Sequence, residues 1–277
     1  MKIALYYRHI APADQPALEQ LVERLHRSGI ATVTVADGDS MAGFDYLFSI
    51  GGDGTLLSAV QLLTRSGNQP FRPSDIPILG INFGHLGFLT TAGKANLDRL
   101  VDDLLESRFS LEERTLLSVK HSENQASNQI ALNEAFVHRG EAVSLLRTHV
   151  YVDGLYVATY AGDGVIVATP TGSTAYSLSC GGPILTPDSS SLVITPISAH
   201  TLTLRPIIVP DTSHLELRVD SDQPFTLGID SRRTLLQGPA SFSIARAPFT
   251  IRLIRLDTQN FFSAIRDKLM WGTEVRQ

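Results

Sequence analysis

A carboxylate lies inside a glycine-rich turn of this chain. The turn, Gly51-Gly52-Asp53-Gly54-Thr55, follows the apolar residues 44–50 and precedes residues 56–63, which have helical apolar spacing. Glycines allow positive φ and expose backbone N–H groups, and the N-terminus of a following helix favours anions. Such a turn suits phosphate, but a carboxylate repels phosphate unless a metal or a hydroxyl proton lies between them. Asp53 is therefore predicted to serve chemistry rather than phosphate anchoring.

Two known phosphate-binding patterns do not fit this turn. No Lys follows it, so it is not a G-x-x-x-x-G-K-[ST] P-loop, and it lacks the G-x-G-x-x-G spacing. An alternative interpretation is a strand-to-helix turn in which Asp53 caps the helix N-terminus.

A second polar segment covers residues 162–183. It opens on a Gly-Asp-Gly turn around Asp163 and runs through a β-branched strand into Thr169-Pro170-Thr171-Gly172-Ser173-Thr174. Its hydroxyls and backbone amides suit a polar ligand with ring nitrogens and sugar hydroxyls. A Ser/Thr-rich loop with a helix N-cap is the alternative. Two Gly-Asp-Gly turns, one in each predicted domain, favour a ligand cleft shared by both domains.

An amide and a carboxylate stand side by side in Asn133-Glu134, after the apolar residues 130–132. The amide can donate to one ribose hydroxyl while the carboxylate accepts from the other. The dipeptide alone is equally compatible with a surface turn.

Composition limits the class of protein. A chain of 277 residues exceeds what one hydrophobic core usually supports, which predicts two domains, and 43% hydrophobic with 18% charged residues is typical of a soluble globular protein. A net charge of −5 without a Lys or Arg run argues against nucleic-acid or membrane partners and favours a small molecule. Cys180 is the only cysteine, and no apolar run is long enough for a membrane span or a signal sequence, so we expect a cytoplasmic protein.

The secondary-structure elements that must position these residues follow two patterns, one α/β and one mostly β. Strands are predicted at residues 2–7, 31–35, 44–50 and 76–82, and helices at 14–28, 56–63 and 97–105. Alternation of strands and helices predicts a Rossmann-like α/β domain with a mostly parallel sheet over residues 1–115.

The remaining chain is predicted to be mostly β. A hairpin over 149–157 turns at Asp153-Gly154, and β segments follow at 192–195, 207–209, 215–219, 225–229, 234–236, 242–245 and 249–256. These define a β-rich domain over 116–257. Residues 258–277, helical over 260–269, are predicted to return to the first domain.

The motifs taken together resemble the NAD kinase family over nearly the whole chain. The resemblance rests on the order and spacing of the turn at 51–55, Asn82-Phe83-Gly84-His85-Leu86-Gly87-Phe88-Leu89, Asn133-Glu134 and residues 162–183. It implies transfer of the γ-phosphoryl of ATP, with Mg2+, to the 2′-hydroxyl of the adenosine ribose of NAD, which makes NADP. It also implies an α/β domain, a β-rich domain and a homodimer or homotetramer in the cytoplasm.

The resemblance assigns roles position by position. Asp53 matches the general base that receives the proton of the ribose hydroxyl. Matches to NAD- or nucleotide-binding positions are Gly54, Phe88, Asn133, Glu134, Asp163, Thr174, Ala175, Tyr176, Ser177, Leu178 and Ser179. Metal-ligating residues are not identified.

Three positions depart from the family pattern. Asp230-Ser231-Arg232 stands where the family often has Asp-Gly-Gln, Ala199 follows Ser198 without the usual Pro before His200, and Ala161 replaces an Arg or Lys. The first change could alter the preference between NAD and NADH or the subunit contacts.

Two other functions remain open at this stage. One is a lipid or sugar kinase of the same superfamily, for which neither an acyl-sized apolar channel nor a sugar-phosphate Arg cluster is visible. The other is a dinucleotide sensor without catalysis, against which the presence of Asp53 argues. The eight histidines show no metal-binding spacing.

Overall fold

The computed structural model describes residues 1–64, 72–84, 87–122, 124–142, 144–256 and 260–272, and only the backbone of 124–127. His85 and Leu86 of the 82–89 motif, and residues 257–259 and 273–277, lie outside the described residues. The chain forms two compact units, one made of Met1–Glu113 with Ile251–Gln277 and the other of Arg114–Thr250. No helix in the described part of the chain is long and apolar enough to span a membrane.

The first unit alternates strands and helices. Its elements before the chain enters the second unit are β1 (Lys2–Tyr6), α1 (Gln15–Arg27), β2 (Ala31–Val35), β3 (Tyr46–Ile50), α2 (Asp53–Thr64), β4 (Ile78–Asn82), β5 (Ala92–Gly93), α3 (Leu97–Leu105) and β6 (Ser110–Arg114). Single 3-10 turns at Pro12–Asp14, Pro73–Asp75 and Lys94–Asn96 precede or connect them. Strands β1 to β4 pair parallel in the order β2-β1-β3-β4, which confirms the predicted α/β class.

Helices cover both faces of this sheet, as parallel strands require. The apolar face of α1, with Leu18, Leu21 and Leu25, packs in one core with alternate residues of the strands and with α3. Helix α2 lies on the opposite face, where a Cβ added to Gly80 of β4 would crowd Leu56. The end of α1 follows from Gly29, whose φ of +74° is unfavourable for residues with a side chain.

The second unit is built from antiparallel strands. Its elements are β7 (Leu117–His121), β8 (Asn124–Ala131), β9 (Glu134–His138), β10 (Leu146–Val152), β11 (Leu155–Gly162), β12 (Gly164–Ala168), α4 (Tyr176–Ser179), β13 (Ser191–Ile197), β14 (Ile207–Pro210), β15 (Leu215–Asp220), β16 (Phe225–Ile229), β17 (Arg232–Leu236) and β18 (Ala240–Arg246), with a 3-10 turn at Thr171–Thr174. Two six-stranded sheets result, in the orders β11-β10-β15-β18-β7-β8 and β14-β13-β12-β9-β16-β17. The predicted turn at Asp153-Gly154 has φ of 52° and 79°, as a type I′ turn requires.

One apolar core lies between these two sheets. Alternation along β12 sends Val165 and Val167 into this core, together with Phe225 and Phe242. Residues Ile166 and Ala168 of the same strand point to the other face, where Phe136, Tyr176 and Cys180 join them. Strand β12 is therefore buried on both sides, and the segment that follows it covers the outer face.

The chain then returns to the first unit through β19 (Ile251–Arg255) and α5 (Phe261–Leu269). Strand β19 lies between β4 and β6 in the parallel sheet, and Leu253 pairs with Ile78. The chain re-enters the first unit at Ile251, whereas the sequence predicted its return at residue 258. The difference arises because residues 249–256 were predicted to belong to the β-rich domain. Their apolar pattern fits either sheet, and only long-range pairing decides between them.

Candidate active site

The carboxylate of Asp53 is held by the backbone of another segment. The N–H of Phe88 donates to Oδ2 at 2.7 Å, and the N–H of Leu89 donates to Oδ1 at 3.2 Å. The segment approaches so closely that a Cβ on Gly87 would overlap Oδ1 of Asp53. An ionised carboxylate offers about four acceptor positions, so two donors fix its orientation and leave lone pairs for a ligand hydroxyl.

The turn before α2 places Asp53 at the first helical position. Gly51 has φ of +144°, and its N–H donates to the carbonyl of Ile81 at 2.8 Å. The carbonyl of Gly52 accepts the first helical hydrogen bonds, from Thr55 at 2.9 Å and Leu56 at 3.3 Å. Because the Asp53 side chain binds Phe88 and Leu89, the alternative in which it caps α2 is not what the structure shows.

Two basic side chains surround Phe88. The Nζ of Lys268, in the last turn of α5, lies 4.7 Å from the centre of the Phe88 ring. Arg255 of β19 donates from Nη2 to the Phe88 carbonyl at 3.3 Å and pairs through Nε with Glu112 at 2.8 Å. Burial lowers the pKa of Lys268, the charge of Asp53 raises it, and Arg255 lowers it. Sequence reasoning missed both residues, since no local pattern shows which strand or helix end meets Phe88.

In the second unit, the segment after β12 lies against Asn133-Glu134. The hydroxyl of Thr169 donates to the Leu132 carbonyl at 2.6 Å, and the N–H of Thr169 donates to the Asn133 carbonyl at 2.9 Å. A Cβ on Gly172 would overlap the same Asn133 carbonyl. The Asn133-Glu134 motif and the segment 162–183 are far apart in the sequence, but Thr169 joins them into one local structure.

Asp230 fixes the backbone of Asn133-Glu134. Its buried carboxylate accepts from the N–H groups of Leu132, Asn133 and Glu134 at 2.9, 2.8 and 3.2 Å. Burial raises the pKa of Asp230, and the three backbone donors lower it. Arg232, at the position that departs from the family pattern, donates to the Ile130 carbonyl at 2.8 Å.

Glu134 is buried beside Asp230. Burial and then the charge of Asp230 raise the pKa of Glu134 to about 8, against the effect of a backbone hydrogen bond from Tyr176. Its Oε2 atom is buried and makes no hydrogen bond within the part of the chain that the structure describes. Because its pKa is raised, this carboxyl keeps its proton to higher pH than a free glutamic acid does, and in the protonated form it can donate to a ligand oxygen.

Tyr176 lies among the predicted binding residues of this unit. Its ring packs edge-on against Phe136, with centroids 5.3 Å apart. Burial raises the pKa of the Tyr176 hydroxyl. Asp163 accepts from Nε of Arg139 at 2.6 Å, and this bond lowers the pKa of Asp163.

The remaining predicted residues differ in exposure. Ser177 is buried, and its hydroxyl shares a 2.8 Å hydrogen bond with Thr195. Thr174, Ala175 and Leu178 are half-buried and Ser179 is exposed. The Ser177 side chain is thus engaged inside the unit, whereas Thr174, Ala175, Leu178 and Ser179 are at least partly exposed to solvent.

Known protein families match both parts of this arrangement. The family model for the ATP-NAD kinase N-terminal domain matches residues 10–109, and that for the ATP-NAD kinase C-terminal domain matches residues 132–256. NAD kinases of Flavobacterium psychrophilum and Flavobacterium johnsoniae are 35% and 40% identical to the chain, with 100% of both chains covered in each case. The chain belongs to the NAD kinase family.

Solved structures of this family have the same fold. A crystal structure of yeast NADH kinase complexed with NADH has a TM-score of 0.87 at 24% identity and covers 99% of this chain and 89% of its own. A crystal structure of an NAD kinase from Archaeoglobus fulgidus in complex with ATP has a TM-score of 0.78 at 24% identity, with 98% of this chain and 99% of its own covered.

Each of the two family models covers residues that the sequence analysis assigned to binding or catalysis. Asp53 and Phe88 lie within the N-terminal match, and Asn133, Glu134 and Asp163 lie within the C-terminal match. Among the described residues, no group of three or more His, Cys, Asp or Glu side chains could hold a metal ion.

Proposed function

We propose that the chain transfers the γ-phosphoryl group of ATP to the 2′-hydroxyl of the adenosine ribose of NAD and so makes NADP. Membership of the NAD kinase family and full-length relatives named NAD kinase support this activity. The single observation that carries the mechanism is the carboxylate of Asp53, which two backbone amides orient at the start of α2. A homodimer or homotetramer in the cytoplasm belongs to the same proposal.

The proposed step forms one bond and breaks one. The ribose 2′-oxygen bonds to the γ-phosphorus while its proton passes to Asp53. The bond between the γ-phosphorus and the bridging oxygen breaks, and ADP leaves with the electron pair. A ribose hydroxyl is a poor nucleophile at neutral pH, and a positioned base typically contributes about 10²–10⁴-fold. Orientation of the hydroxyl and neutralisation of phosphate charge supply the rest.

We propose that Mg2+ accompanies ATP. Magnesium is usually held by one or two carboxylates together with substrate phosphates, and it neutralises charge on them. The carboxylate of Asp53 is half-buried and keeps lone pairs beyond its two backbone hydrogen bonds, so it would be one such ligand.

The dinucleotide is assigned to the second unit. Asn133 and Glu134 would bind ribose hydroxyls, and their backbone is held by Asp230. The half-buried ring of Tyr176 and the small residues beside it, Thr174 and Ala175, would contact a base or nicotinamide, and Asp163 would accept from a polar group. Protonated Glu134 can donate to one ribose oxygen where an ionised carboxylate could only accept.

Asp53→Asn tests the base assignment. The amide keeps the size of the side chain but is a far weaker base, so kcat should fall at least roughly 10²-fold while the Kd for NAD changes by no more than a few-fold. Asp45→Asn is the matched control, because Asp45 is an exposed aspartate of the same unit whose carboxylate also accepts a backbone amide, that of Lys2 at 2.7 Å.

The same variant separates a base from a residue that only holds the 87–89 segment. If Asp53 only holds that segment, the main effects of the amide should be a lower Tm and a raised KM, with kcat kept. Near-normal turnover would show that the base assignment is wrong. Binding of NAD without any NADP formation by the wild type would favour the sensor, and ADP release only with a lipid or sugar would favour the other kinases.

A further inference from the structure

Lys268, in the last turn of α5, carries a buried ammonium group. Its Nζ is shielded from solvent, and no acceptor within the described part of the chain bonds to it. An ammonium can donate three hydrogen bonds, and burial of a charge without partners is costly. A lysine at the end of a helix normally reaches solvent, so this position needs a reason.

The surroundings of Lys268 are those of the proposed phosphoryl-transfer site. Its Nζ lies over the ring of Phe88, and the backbone of Phe88 donates to the carboxylate of Asp53. The other cation nearby, Arg255, is already engaged by Glu112 and by the Phe88 carbonyl. Of these two described cations beside Phe88, Lys268 is the one whose donors the described residues leave available to a ligand.

The glycine turn at 51–55 supplies backbone amides and a helix N-terminus but no lysine. Phosphoryl transfer needs positive charge at the transferred group, and a side chain from another element can provide it as well as one in the turn. Helix α5, which belongs to the same unit as the turn, brings Lys268 to this place.

We propose that Lys268 is an ATP-binding residue whose ammonium donates hydrogen bonds to the triphosphate beside Asp53. It stays protonated throughout and stabilises the negative charge on the phosphate oxygens as the bond to ADP breaks. This assignment rests on the proposed function for the identity of the nucleotide, and it gives α5 a direct part in the reaction.

Lys268→Met tests the assignment. Methionine keeps a long unbranched side chain over Phe88 but removes the charge and the donors. We expect kcat/KM for ATP to fall at least about 10-fold, KM for NAD to stay within about 3-fold, and Tm to stay equal or rise because an unpaired buried charge is removed. Lys268→Arg should recover at least part of kcat/KM. Arg266→Met is the matched control, since Arg266 is an exposed cation on the same helix, and it should leave all three quantities unchanged.

A second readout does not depend on catalysis. Mg-ATP alone should raise the Tm of the wild type and of Arg266→Met, and it should raise the Tm of Lys268→Met by less than half as much. NAD alone should stabilise all three proteins equally. Equal stabilisation by Mg-ATP, or unchanged kcat/KM for ATP, would overturn the role of Lys268. If the wild type forms no NADP but the difference in ATP stabilisation persists, the proposed function fails and the nucleotide-phosphate site stands.

Discussion

Glu134 links the stability of the second unit to pH. Burial and the neighbouring Asp230 raise the pKa of Glu134 from 4.5 to about 8, so the folded chain binds this proton more tightly than the unfolded chain. The stabilising contribution of the protonated carboxyl is fully present below about pH 4.5 and is lost as pH rises through about 8. The pKa of Asp230 is raised as well, chiefly by burial, and acts in the same direction.

Glu134→Gln is expected to weaken this pH dependence, because the amide cannot ionise. Between about pH 6 and pH 9, Tm of the wild type should fall at least about 3 °C further than Tm of the variant. Differential scanning fluorimetry across this range measures both curves. Parallel curves would mean that Glu134 does not titrate as its burial implies.

At the scale of elements, the turn between β8 and β9 depends on one carboxylate from the turn after β16. Asp230 accepts three backbone N–H groups there, and two of them, those of Leu132 and Glu134, belong to buried residues. A buried donor left without a partner costs roughly 1–3 kcal/mol. The position of Asn133 and Glu134 therefore follows from Asp230.

Asp230→Ala should lower the free energy of unfolding by at least about 2 kcal/mol and weaken NAD binding at least about 10-fold, since the turn loses its acceptors. Urea unfolding and equilibrium binding measure the two effects. Asp153→Ala is the control, because Asp153 also has a positive φ, 52° against 51°, and accepts a backbone amide, but at the surface. Equal losses of unfolding free energy in Asp230→Ala and Asp153→Ala would mean that the buried N–H groups bound by Asp230 add no more stability than an exposed one does.

Sequence patterns predicted those elements whose signal is local. Strong apolar runs and helical spacing predicted β1 to β4 and α1 to α3, whereas the strands β5 and β6 were not predicted. Helix α5 begins one residue after its predicted start because Asn260 caps it. Strand β8, with the sequence Asn-Gln-Ala-Ser-Asn-Gln-Ile-Ala, has few β-favouring residues and was not predicted, since its pairing with β7 decides its structure.

The same limit applies to the candidate site. The glycine turn around Asp53 and the Thr- and Ser-rich segment after β12 were visible because their residue types are unusual over a short stretch. Contacts between distant parts of the chain were not visible. The bonds of Asp53 to Phe88 and Leu89, of Thr169 to Leu132, and the approach of Lys268 to Phe88 depend on tertiary packing that no spacing encodes.

At the scale of the whole molecule, the chain leaves the first unit after Glu113 and returns at Ile251. The return places β19 inside the parallel sheet and places α5 with Lys268 beside the Asp53 turn. The candidate residues of the first unit therefore come from both of its segments, Asp53 and Phe88 from Met1–Glu113 and Lys268 from Ile251–Gln277. The second unit, Arg114–Thr250, contains its own two-sheet core and the residues assigned to the dinucleotide.

The central claim is that this chain phosphorylates the 2′-hydroxyl of NAD. The most direct measurement incubates the purified full-length protein with Mg-ATP and NAD and detects the product with an NADP-specific dehydrogenase, while ADP is measured in the same sample. We predict one NADP formed for each ADP released and no product when NAD is omitted. Absence of NADP, or ADP that appears only when a lipid or sugar is supplied, would contradict the account.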